Sequence, residues 1–105
     1  MANQRLRKEN ILRSIRESSA KLSAWGVTSI GLFGSFARGD ASSDSDVDIL
    51  VEFGPDERTF DNFMETCFFL EELLGRKIEL VTTDSISPYI KPHVLKEVEY
   101  VPLSS

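Results

Sequence analysis

Apolar positions recur along the first part of the chain at helical spacing. Ile11, Leu12, Ile15 and Leu22 fall on one stripe of residues 4–24, Arg5, Lys8, Arg13 and Arg16 lie largely off it, and Gly26 supplies a stop. The pattern then changes period. Residues 27–33, VTSIGLF, are β-branched and apolar and read as a strand that runs directly into Gly34 and Ser35. Ser35 is the expected N-cap of a short helical turn through Phe36, Ala37 and Arg38, closed by Gly39 and followed by the polar loop DASSDS.

Strict alternation returns over residues 46–53, DVDILVEF. Val47, Ile49, Val51 and Phe53 share one face, and Asp46, Asp48, Leu50 and Glu52 share the other. Gly54-Pro55 ends that strand. A helix capped by Asp56 or Thr59 is predicted next, with Phe60, Phe63, Met64, Cys67, Leu70 and Leu74 inward, Phe68 and Phe69 beside that stripe, and Gly75 at its end. Residues 77–81, KIELV, form a third strand with Ile78 and Leu80 toward the core and Glu79 opposite. The proline-interrupted SPYIKPHVLKEVEYV predicts a short helix and a final extended segment.

A strand, a helix and a strand in one sheet make a parallel pair through a crossover, which sets residues 77–81 beside residues 46–53. Glu79 is thereby expected to join Asp46 and Asp48. Three carboxylates on one open face repel unless a cation binds them, and an all-oxygen donor set selects a hard ion such as Mg²⁺. Mg²⁺ bridges a few carboxylates to substrate phosphates more readily than it fills an all-protein cage, so the arrangement suits a nucleoside triphosphate better than a free-standing ion site. One ion or two, about 4 Å apart, would suffice. The turn at Gly34 and Ser35 presents backbone N–H groups and a hydroxyl to phosphate oxygens, and Arg38 stands near enough in sequence to add a positive charge.

Composition narrows the field. The 105 residues, 41% hydrophobic and 28% charged, suit a single globular domain over 1–105. The net charge of −5 disfavours direct nucleic-acid binding. Yet residues 40–61 hold eight acidic side chains against one basic, the concentration a cation site needs, while residues 5–21 hold six basic against two acidic. No apolar run approaches the roughly eighteen residues of a membrane span and the amino terminus lacks a secretory pattern, so a cytoplasmic protein without a membrane partner is expected. A single cysteine, Cys67, rules out an internal disulfide and reads as a small core residue. A single histidine, His93, rules out a His-based metal cluster and reads as a partly exposed helix residue.

Three familiar motifs fail on inspection. Residues 34–39 have the glycine spacing of a Walker A loop, but Asp40-Ala41 replaces its lysine and hydroxyl residue. Asp44, Asp46 and Asp48 open like an EF-hand, but Ile49 and Pro55 occupy the places of its glycine and glutamate. Ser35 lacks a nucleophile elbow.

The segment GSFARGDASSDSDVD, Gly34 to Asp48, resembles the Gly-Ser, ten residues, Asp-x-Asp signature of the DNA polymerase beta-like nucleotidyltransferase superfamily. With LLGRKIELVT and the closing PYIKPHVLKEVEYV, the similarity covers most of the chain and points to the minimal nucleotidyltransferase antitoxin branch. That resemblance implies an α/β (α+β) fold with a small three- to four-stranded mixed sheet and helices packed on one face. It further implies an antitoxin that adenylylates a tyrosine of a HEPN-type toxin with ATP. Gly34 and Ser35 would hold the triphosphate and Asp46 and Asp48 the metal, with Glu79 where the family usually has aspartate. The competing expectation is an antitoxin of weak catalytic power that neutralises its toxin by stoichiometric binding, through the basic first helix or the Phe68-Phe69 surface.

Overall fold

In the computed structural model, which describes residues 6–103, the chain runs α1 (Lys8–Glu17), α2 (Ser19–Ala24), β1 (Val27–Phe33), α3 (Gly34–Arg38), β2 (Val47–Phe53), α4 (Phe60–Leu74), β3 (Ile78–Thr82), a 3-10 turn (Thr83–Ser85), α5 (Lys91–Glu97) and β4 (Glu99–Tyr100). The four strands form one mixed sheet in the order β3-β2-β1-β4. β1 is antiparallel to β2 and to β4, and β2 is parallel to β3. The crossover expected from residues 46–81 is present, with α4 as its helix.

The alternation in β2 does what its period requires. Val47, Ile49 and Val51 are fully buried and join Ile30 and Leu32 of β1 and Ile78 and Leu80 of β3 in one core. Ile11 and Ile15 of α1, Leu22 of α2, and Leu70 and Leu74 of α4 close that core from the helical side. The opposite sheet face is also covered over Leu50, which is 1% exposed. Leu50 pairs with Gly31, and a side chain at Gly31 would collide with Val98, so the glycine leaves room for the residue just past α5.

Three local expectations are corrected. The first helix is two, broken at Ser18. There the Ser18 hydroxyl donates to the Ser14 carbonyl at 3.0 Å and the Ser19 hydroxyl to the Arg16 carbonyl at 2.6 Å, bonds by which serine competes with the helical ladder. Residues 4 and 5 of the expected helix lie outside the described residues. Ser35 is not an N-cap: α3 starts at Gly34, after an extended Phe33, because Gly34 itself makes the turn at φ +77°. Phe60 is 77% exposed rather than inward. At about 100° per residue it stands about 80° from the line of Leu70, and Thr66 occupies the buried stripe instead, its hydroxyl donating to the Asn62 carbonyl at 2.7 Å.

The cap of α4 is Thr59, whose hydroxyl accepts the Asn62 N–H at 3.1 Å. Thr59→Ala is expected to cost about 1 kcal/mol of stability without touching the site, read as a lower denaturation midpoint at unchanged slope. Of the two phenylalanines beside the stripe, Phe69 packs at the core edge with its ring 5.5 Å from Trp25, whereas Phe68 is 58% exposed.

Candidate active site

Strand direction brings the chemistry together. β1 ends where β2 and β3 begin, so the turn after Phe33 and the first carboxylates of β2 and β3 meet at one end of the sheet. Phe33 pairs with Asp48, and Asp48 pairs with Glu79. Asp46 stands one residue before β2, on the same side of the chain as Asp48 by alternation. Asp46 and Asp48 are half-buried and Glu79 is exposed.

Gly34 is fitted to Asp48. Its φ of +77° disfavours any L side chain, and a Cβ there would lie 2.8 Å from the Asp48 Cγ and closer still to a carboxylate oxygen. The backbone at the glycine-serine turn therefore packs directly on the carboxylate. Ser35 sits half-buried inside α3, and its carbonyl accepts the N–H groups of Gly39 and Asp40 at 2.9 and 3.0 Å, closing the turn over the left-handed Gly39.

Arg38 is oriented by two carboxylates. Its Nη1 donates to Glu97 at 3.2 Å and its Nε to Asp40 at 3.4 Å. The loop from Asp40 to Ser45 is tied down from the far side by Arg76, whose Nη2 donates to the Ser45 carbonyl at 2.5 Å and the Ser42 carbonyl at 3.3 Å. Glu97 and Arg76 lie outside the motif, and their parts depend on contacts 59 and 31 residues distant in sequence.

Burial pushes the Asp48 carboxyl above its ordinary value, and the neighbouring charges of Glu79 and Asp46 push the same way; Arg38 opposes them. A carboxylate held near others at a cost is where a cation gains most. The oxygen-only donors fit Mg²⁺. No three or more His, Cys, Asp or Glu side chains among the described residues are gathered closely enough to cage an ion.

The other candidates fall away. Cys67 packs against the core, and burial raises its thiol further from reactivity. His93 is exposed on α5.

The pattern of the nucleotidyltransferase domain family matches residues 12–101. The chain belongs to this family. Protein adenylyltransferase MntA of Thermococcus cleftensis is 47% identical over 77 residues, covering 73% of this chain and 77% of that protein. This nucleotidyltransferase domain also superposes on a solved minimal nucleotidyltransferase with a TM-score of 0.76 at 34% identity, over 92% of this chain and 98% of that one. Its fold recurs in a toxin-antitoxin complex with AMP-PNP, at a TM-score of 0.66 and 22% identity over 95% of this chain and 76% of that one. It recurs again in the complex of a tri-AMPylated Shewanella oneidensis HEPN toxin with its MNT antitoxin, at a TM-score of 0.63 and 20% identity over 92% and 73%. The mixed sheet and packed helices are those of the minimal nucleotidyltransferase fold. Among the described residues no helix is long and apolar enough to cross a membrane.

Proposed function

We propose that this domain is a cytoplasmic antitoxin that transfers AMP from ATP to a tyrosine hydroxyl of a HEPN-type toxin. The observation that carries the reading is Asp48, seated against Gly34 and in register with Glu79. The named relative is a protein adenylyltransferase, and one solved neighbour is the complex of a tri-AMPylated HEPN toxin with an MNT antitoxin. Glu79 is exposed at the end of the sheet, which suits an acceptor delivered on the surface of another protein.

The roles follow from placement. Gly34 admits close approach of backbone to phosphate, Ser35 offers its hydroxyl and amide, and Arg38 adds charge beside the polyphosphate. Asp46 and Asp48 hold Mg²⁺, which when bound neutralises phosphate charge and polarises the phosphoryl group. Glu79 accepts the hydroxyl proton or supplies a further metal ligand. The tyrosine oxygen forms a bond to the α-phosphorus as the bond from that phosphorus to pyrophosphate breaks, so AMP ends on the tyrosine.

The test is to incubate the chain with ATP, Mg²⁺ and its HEPN partner and weigh the partner intact beside an Asp46→Asn, Asp48→Asn control. A gain of one or more AMP masses, abolished in the control, is expected. The second reading is neutralisation by stoichiometric binding, favoured by Phe68, which stands exposed on α4 as a surface for a partner. It predicts an unmodified partner that the double variant still neutralises.

A further inference from the structure

The carboxy-terminal helix contributes a site residue outside every motif. Glu97 is the last residue of α5, and its Oε2 accepts the Gly34 N–H at 2.8 Å, across 63 positions of sequence. The same carboxylate accepts Arg38 Nη1, at 3.2 Å on Oε1 and 3.4 Å on Oε2. Its side chain is 27% exposed, although the Arg38 side chain it pairs with is 51% exposed.

Each contact has a consequence at the site. The Gly34 N–H belongs to the first turn of α3, where no intrahelical acceptor exists, and Glu97 supplies one. Because Gly34 packs on the Asp48 carboxylate, fixing that amide also fixes the wall against which Asp48 rests. Arg38 has Nε on Asp40 and Nη1 on Glu97, which sets the plane of its guanidinium and leaves Nη2 as the donor pair neither carboxylate uses. Glu97 is itself anchored. Val94 is buried one turn earlier, Val98 fills the space over Gly31, and Glu99 pairs with Leu32 while accepting Lys8 Nζ at 2.7 Å.

We propose that Glu97 is the positioning residue of the nucleotide site, clamping the glycine-serine turn against Asp48 and presenting Arg38 to the polyphosphate. The proposal rests on the transferase reading above. A carboxylate is suited to both tasks, since it accepts a backbone N–H and an arginine fork at once with charge-assisted bonds.

Four variants of the full chain test it: Glu97→Ala, Glu97→Gln, Arg38→Ala and the Glu97→Ala, Arg38→Ala pair. Each is assayed for the hydrogen exchange of the Gly34 amide by NMR without nucleotide, and for KM(ATP) and kcat with the HEPN partner. Glu97→Ala is expected to speed Gly34 exchange and raise KM(ATP) by about tenfold, with a smaller change in kcat. Glu97→Gln keeps an acceptor for the amide but no charge for Arg38, so it restores Gly34 protection and only part of the KM. With Arg38 already alanine, removing Glu97 raises KM by less than it does in wild type, the remaining rise being the share of the Gly34 contact.

A lowered melting temperature and kcat with KM unchanged would make Glu97 merely structural and overturn the proposal. A KM(ATP) below wild type in Glu97→Gln would also overturn it, because the carboxylate would then be competing with phosphate. A wild-type chain that transfers nothing overturns the transferase reading and the nucleotide role of Glu97 together; it is distinguished because every variant then reads zero while Gly34 exchange still reports the contact.

Discussion

Asp48→Asn is expected to lower nucleotide transfer by on the order of 10³-fold or more while raising the melting temperature of the chain at neutral pH. Both halves come from one cause. In the folded chain the Asp48 carboxyl titrates above its ordinary 3.8, first through burial and then through repulsion from Glu79 and Asp46. Folding therefore favours its protonated form. The stability associated with that proton is fully present below the unfolded value and is lost as pH rises through the folded value, so at neutral pH the charge opposes folding. Asparagine keeps the shape and removes the charge. Melting curves recorded without divalent cations should show the variant above wild type at pH 7, with the gap closing below about pH 4. Added Mg²⁺ should raise the wild-type transition and leave the variant nearly unmoved. A variant less stable than wild type at neutral pH would contradict the electrostatic account, whatever its activity.

Gly34→Ala is expected to damage both folding and transfer, and by more than a glycine in a helical segment ordinarily would. The left-handed backbone costs an alanine about 1–2 kcal/mol. Collision with the Asp48 side chain adds about 1–3 kcal/mol of overpacking, since the Cβ would fall 2.8 Å from Cγ. Gly75 provides the control. It has a similar φ of +66° but nothing within 4 Å of a Cβ, so Gly75→Ala should show only the backbone cost, about 1–2 kcal/mol, with transfer unchanged. The collision is specific to one pair, so combining Gly34→Ala with Asp48→Ala should recover part of the lost stability and none of the activity. Urea denaturation of wild type, Gly34→Ala, Asp48→Ala and the double variant gives the comparison, and strict additivity would remove the steric explanation.

These expectations share a structural origin. The site is built where three strand ends converge, and the two residues that matter most belong to a turn and to the neighbouring strand. Carboxylates on strands are held by the sheet ladder, whereas the glycine-serine turn must be held by side chains. Glu97 and Arg76 do this from α5 and from the link between α4 and β3, one fixing the turn and the other the loop that leads into β2.

The alternation of DVDILVEF was sufficient to place Val47, Ile49 and Val51 inward and Asp48 outward, because a strand has only two faces. The crossover rule was sufficient to set Glu79 beside Asp48, because a helix of α4's length joins parallel neighbours more easily than any other pair. Local bonding was harder to read. The break at Ser18 depends on serine hydroxyls turning back to carbonyls, and periodicity carries no trace of that choice. The exposure of Phe60 has the same character, since an apolar residue 80° or so from the stripe is inward or outward according to the width of the neighbouring surface.

The sequence by itself determined the order of elements, the parallel pair, the glycine-serine turn at a strand end and the carboxylates facing the same way, all of which follow from periods and chain direction. Only the tertiary structure decided that Asp48 touches Gly34, that Thr66 rather than Phe60 is buried, and that Glu97 reaches the turn. The physical reason is range: pattern along a chain encodes which face a residue takes, while the partner it meets there is chosen by elements that come together only when the core is packed.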